Sequence, residues 1–193
     1  MLENIEKYSV ILASASPRRK ELFQRLGIPF KVRTLLGIDE SFPKDLPLDE
    51  VAEYIAGKKA AGYKLSMQSN ELIVTADTIV RLDDEMLGKP HSTSEAKEML
   101  RKLSGRSHFV YTGVVITSIE KQVSFTATSR VEFAELSDDE INYYVDNYLP
   151  LDKAGSYGIQ DWIGMVAVAN IEGSYFNVVG MPMQRLFTAL KNF

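Results

Sequence analysis

Three groups of residues in this 193-residue chain have the types and spacing to work on phosphate. The first is Ser14-Ala15-Ser16-Pro17-Arg18-Arg19-Lys20. An apolar run, Val10 to Ala13, stops there and Pro17 opens a helix, at a position where the missing N–H has no intrahelical partner to lose. Ser16 is a good N-cap and Gly27 a good stop. Cations in a first helical turn oppose the helix dipole, so this cluster needs something negative nearby. Free backbone N–H groups, hydroxyls and a basic cluster at one helix start suit a polyphosphate. A solvated basic surface is the alternative that this stretch alone leaves open.

The second group is acidic. Asp77 interrupts the apolar run Leu72 to Val80, where an uncompensated carboxylate would be costly to bury. It either ends a strand and bonds the backbone of a turn, or it binds a divalent cation or takes a proton from water. Asp39-Glu40, in a loop marked by Gly37 and Pro43, offers further oxygen ligands for Mg²⁺ or Mn²⁺. Hard cations in phosphate sites commonly use one or two carboxylates and complete their shell with phosphates and waters. A third group adds Lys58-Lys59, Gly88-Lys89-Pro90 and the turn Leu151 to Gln160, whose glycines permit close backbone approach to a ligand. Gln160 carries both a donor and an acceptor and can read a base edge. Tyr157 and Trp162 can stack on a base, although core packing is the commoner use of such residues.

These residues need elements to hold them. Ile28 to Arg33 alternates like a strand, Leu48 to about Leu65 is helical, and Leu72 to Val80 is a buried strand. Ser92 to Glu95 starts a helix with Ala96, Met99, Leu100 and Leu103 on one face. His108 to Ile119 and Gln122 to Ala134 are strands, and Ser137 to Glu140 caps a helix through Tyr143, Tyr144 and Val145. Strands are expected near Gly164 to Ala169 and Tyr175 to Val179, then a terminal helix with Leu186, Phe187 and Leu190 as its stripe. Helices and strands without strict alternation predict a mixed sheet with helices on it.

Composition excludes other chemistries. There is no cysteine, hence no disulfide, thiolate zinc site or cysteine nucleophile. Having only His91 and His108 argues against a multi-histidine metal site. No P-loop, GxGxxG, HExxH or GxSxG motif occurs. A net charge of −4 argues against a nucleic-acid partner, and no apolar stretch approaches a membrane span. The first residues, Met-Leu-Glu-Asn-Ile-Glu-Lys, do not read as a signal peptide, so a cytoplasmic location is expected.

In order along the chain, LASASPRRKEL, GIDES, KKA, TADTIV, GKP, MLRKLSG, VYTGV, LDKAGSYGIQ and VVGMP closely resemble blocks of the Maf family of nucleoside triphosphate pyrophosphatases. The resemblance implies one Maf-like domain over residues 1–193, with an elongated mixed α/β fold similar to inosine triphosphate pyrophosphatases and a cleft between two lobes. It implies cation-dependent hydrolysis of a nucleoside triphosphate to the monophosphate and pyrophosphate, and a homodimer. Asp77 matches the family's proton acceptor. Arg18, Thr78 and Gln160 match the positions that mark the dTTP/UTP branch. The mechanism expected is cation-assisted attack of water on the α-phosphorus. Ser14, Arg18, Arg19, Lys59 and Lys89 would hold the triphosphate, and Glu40 and Asp77 the Mg²⁺ or Mn²⁺. A nucleotide-binding regulator of cell division with incidental hydrolysis is the alternative.

Overall fold

Where hydrophobic period and capping residues agree in the sequence, elements form at the expected places in the structure, a computed structural model that describes residues 2–193. β1 (Ser9–Leu12) leads to α1 (Pro17–Gln24), whose N-cap Ser16 hydroxyl accepts the Arg19 N–H at 3.4 Å. β2 is only Lys31–Val32, shorter than the run Ile28 to Arg33, because Pro29 has no N–H to give a ladder. α2 (Leu48–Lys64) is followed by β3 (Glu71–Leu82), which contains Asp77 rather than ending at it. β4 (Glu85–Leu87) runs antiparallel to β3. Next come α3 (Thr93–Leu103), β5 (Ser107–Thr117), β6 (Gln122–Phe133) and α4 (Asp138–Tyr148), the last opened by a reciprocal Ser137–Glu140 capping box.

After Gln160 the structure departs from the strands read in the sequence. Trp162–Val166 is a helix, α5, and the strand β7 is Val168–Glu172. Tyr175–Val179 is a helix too, α6. Ser174 overrides the β preference of Val178 and Val179: its carbonyl accepts the Asn177 N–H at 3.1 Å and its hydroxyl stands 3.4 Å from the same nitrogen. The buried Asn177 amide then donates to the Val110 carbonyl and to Ser129 Oγ, both at 3.0 Å. α7 (Met183–Lys191) buries Leu186 and Leu190 as its stripe requires.

Seven strands form one mixed sheet in the order β2-β1-β3-β5-β6-β7, with β4 also paired to β3. β1 lies parallel to both neighbours, placing Ser9 opposite Glu71 and Leu12 opposite Val74. The chain divides into two compact units: Met1–Asp77 with Thr112–Ala127 and Gly180–Phe193, and Thr78–Tyr111 with Thr128–Val179. In the first unit, Ile11, Ala13, Tyr63 and Ile73 form one buried cluster, and Ala56, Ala60 and Val115 another. Ala52, Ala56 and Ala60 recur every fourth residue, giving α2 a smooth face that approaches β5 closely. At Gly113 on β5 the approach is complete: a Cβ there would lie 2.2 Å from the Glu53 nitrogen.

The second unit packs Val80, Leu87, Leu100, Val131, Phe133, Ile141 and Ile163 into its own core. His108 is fully buried in it, edge-on to Phe133 and Tyr157, and its Nε2 shares a 2.7 Å hydrogen bond with the Tyr157 hydroxyl. Its Nδ1 has no hydrogen-bond partner among the described residues. Burial therefore pushes the imidazole down from 6.5 to about 4. The native ring stays neutral through the window in which the unfolded chain takes up a proton, so unfolding binds a proton and stability falls as pH drops through it. Between pH 7 and pH 5 the loss expected from His108 alone is about 2 kcal/mol. Urea unfolding at these two pH values should show that difference in the native protein and not in His108→Gln; equal pH dependence in both would refute it. Among the described residues, no helix is long and apolar enough to cross a membrane.

Candidate active site

In the first unit, the turn between β1 and α1 is held by its own side chains. Ser14, buried at the end of the strand, accepts the Ser16 N–H at 3.2 Å. Arg19 crosses the unit: Nε donates to the Gly180 carbonyl and Nη1 to the Ala76 carbonyl, each at 2.9 Å, with Ser14 Oγ 3.5 Å from Nη1. Desolvation pushes the Arg19 guanidinium below its ordinary value, and the nearby Asp77 carboxylate opposes that shift. Asp77 is thus the negative group that the basic helix start requires. Arg18 sits half-buried on the same first turn of α1.

Adjacent lysines of α2 divide the acidic residues between them. Lys58 Nζ reaches Asp39 Oδ2 at 2.6 Å and the Ser41 carbonyl at 2.9 Å, while Asp39 accepts both the N–H and the hydroxyl of Ser41. These donors, Lys58 first, hold the Asp39 carboxyl well below the usual carboxylate range. Asp39 therefore orders its loop, and Glu40 is the member of the pair that shares a lysine with Asp77. Lys59 Nζ lies 3.0 Å from Glu40 Oε1 and 2.7 Å from Asp77 Oδ1.

That geometry tests whether Glu40 and Asp77 suit a divalent cation. Two hard oxygens from distant segments already converge on one positive centre, which fits the donor set that such a cation takes. Among the described residues, no group of three or more His, Asp or Glu side chains could hold a metal ion. A cation held by this pair would need phosphate oxygens and water to complete its shell.

The second unit holds the remaining candidates. Thr78 follows Asp77 on β3 and is half-buried. Lys89 is exposed, and the Gly88 carbonyl beside it accepts the Gly155 N–H at 3.0 Å, tying it to the glycine-rich turn. Gly155 takes the left-handed conformation, φ 68°, with the Val80 side chain 3.1 Å from where a Cβ would be. Gln160 is exposed in the turn Gly158 to Asp161, closed by the Asp161 N–H to the Gly158 carbonyl at 2.9 Å. Tyr157 is buried against His108 and is not a stacking surface, and Trp162 packs edge-on to Tyr143 at 4.8 Å. The sequence marks Tyr144 only as a member of the helix capped by Ser137 to Glu140; its hydroxyl in fact meets both Gly158 and Asp161. A ring at core spacing carries no signal for such a role.

The Maf family model, described as Maf-like protein, covers residues 9–193, and the chain belongs to that family. It is 58% identical to a dTTP/UTP pyrophosphatase of Phocaeicola vulgatus, over 99% of each chain. A dTTP/UTP pyrophosphatase of Parabacteroides distasonis is 51% identical over the full length of both. Among solved structures, a HAM1 protein from Coxiella burnetii is similar over 96% of this chain and all of that one, at 14% identity and a TM-score of 0.49.

Proposed function

We propose that this chain is a nucleoside triphosphate pyrophosphatase that hydrolyses dTTP and UTP to the monophosphate and pyrophosphate. The observation that carries the reading is the convergence of Glu40 and Asp77 on Lys59, in a chain more than half identical to proteins of that name. Asp77 accepts the proton of the attacking water. Lys59 neutralises charge, holding the two carboxylates in the free protein and meeting phosphate when substrate arrives. Arg19 contributes a fixed positive charge, since its hydrogen bonds to two carbonyls hold it in place. Ser14, Arg18 and Lys89 bind phosphate oxygens, and Thr78 and Gln160 select the pyrimidine.

Glu40 and Asp77 are the residues that would hold Mg²⁺ or Mn²⁺. When bound, such a cation neutralises phosphate charge and lowers the pKa of water. The enzyme works in the cytoplasm as a homodimer on free nucleotides, and its net charge of −4 supports the lack of a nucleic-acid partner. A panel of nucleoside triphosphates with either cation, assayed separately for pyrophosphate and orthophosphate, tests the proposal. Pyrophosphate release fastest with dTTP and UTP is expected; no turnover, or orthophosphate alone, overturns it.

A further inference from the structure

A glutamine amide is ambidextrous. Turned by 180° about its last torsion, it exchanges its acceptor for its donors. Uracil and thymine present an N3–H donor beside carbonyl acceptors, whereas cytosine presents an N3 acceptor beside an amino donor. An amide free to turn therefore fits both patterns, and selection of uracil over cytosine needs an amide held one way round.

The second unit contains the means to hold it. Tyr144 on α4 is fully buried, and its hydroxyl accepts the Gly158 N–H at 3.0 Å while donating to Asp161 Oδ2 at 3.0 Å. The first and last residues of the turn that carries Gln160 thus meet at one oxygen. Gly158 leaves no slack between them. A Cβ there would lie 2.5 Å from Asp161 Oδ2, 2.9 Å from Gln160 Nε2 and 2.9 Å from Lys153 Cε. The Gln160 amide nitrogen and the Asp161 carboxylate oxygen therefore flank the same α-carbon. A negative oxygen so placed favours the NH₂ end of the amide as its neighbour and turns the carbonyl end away. Lys153 Nζ lies 3.7 Å from the same oxygen.

We propose that the Tyr144 hydroxyl is a positioning group for base selection: it fixes the Asp161 carboxylate, which sets which way round Gln160 presents its amide. The proposal rests on the reading that Gln160 contacts the base. Tyr144→Phe removes one oxygen and keeps the buried ring. The assay is pyrophosphate release from UTP and from CTP, with kcat/KM measured for each.

For Tyr144→Phe, kcat/KM for UTP is expected to fall about fivefold, the worth of one misplaced hydrogen bond, while that for CTP does not fall. Asp161→Asn, which abolishes the charge at nearly constant shape, is expected to shift the ratio the same way and keeps the test open if Tyr144→Phe folds poorly. Gln160→Ala separates the two layers of the argument. A UTP/CTP ratio unmoved by Gln160→Ala overturns the base-contact reading and this proposal with it. A ratio moved by Gln160→Ala but by neither Tyr144→Phe nor Asp161→Asn overturns this proposal alone. Equal losses for both nucleotides in Tyr144→Phe, the mark of a purely structural role, also overturn it.

Discussion

Asp77→Asn is expected to lower kcat for dTTP and UTP about 10³-fold, within the range that a positioned general base contributes. Asparagine has nearly the same shape and keeps one oxygen for Lys59, which stands 2.7 Å from Asp77 Oδ1. What it cannot do is take a proton or carry the charge that offsets Arg19 and Lys59. The fold should survive, because the Asp77 side chain is partly exposed and Lys59 retains Glu40 at 3.0 Å. Steady-state kinetics beside a thermal melt therefore separate chemistry from stability. Turnover within about tenfold of the native rate, with the melt unchanged, would remove Asp77 from the role of proton acceptor.

Gly113→Ala should have the largest effect on stability. The added methyl would sit 2.2 Å from the Glu53 nitrogen, 2.3 Å from its Cα and 2.4 Å from the Ala52 carbonyl carbon. All three are backbone atoms of α2, so no rotamer change relieves the overlap, and the helix must retreat by about 1 Å to reach ordinary contact. Overpacking of this kind costs about 3 kcal/mol. In a chain of this length that corresponds to a fall in Tm of roughly 6–12 °C. The retreat also carries Lys59 away from Asp77, so activity should drop at temperatures where the variant is still folded. A variant that melts within about 2 °C of the native protein would show that α2 does not rest on β5 as described.

Much of the candidate site could be read from the sequence because its residues break local rules. Asp77 is a carboxylate in an apolar run, and Arg18 and Arg19 are cations at the wrong end of a helix; neither makes sense without a partner or a ligand. Arg19 nevertheless shows the limit of such reading. Its carbonyl partners at Ala76 and Gly180 lie 57 and 161 residues away, and nothing local announces them. Gly113 is silent for the same reason: a glycine in a β run does not say what presses on it. α6 was hidden because side-chain preference pointed to a strand, while a single serine, Ser174, supplied the hydrogen bonds that start a helix. Tyr144 obeys every rule for a core residue and spends its one polar atom on a turn that sequence distance separates from it.

The alternation of β3 links these features in a different way. Thr75 donates to the Ala56 carbonyl at 2.8 Å, and Asp77, two residues on and so on the same face, receives Lys59, three residues beyond Ala56. Strand and helix are gauged against each other at two points, one structural and one chemical. Inserting or deleting one residue between Thr75 and Asp77 would turn the carboxylate to the opposite face of the sheet with every following side chain. One residue more or less between Ala56 and Lys59 would swing the ammonium about 100° around the helix axis. Variation in these two short stretches is therefore confined to exchange of side chains. Changes of length belong elsewhere, in exposed connections such as Glu120-Lys121, where no reacting group depends on the count.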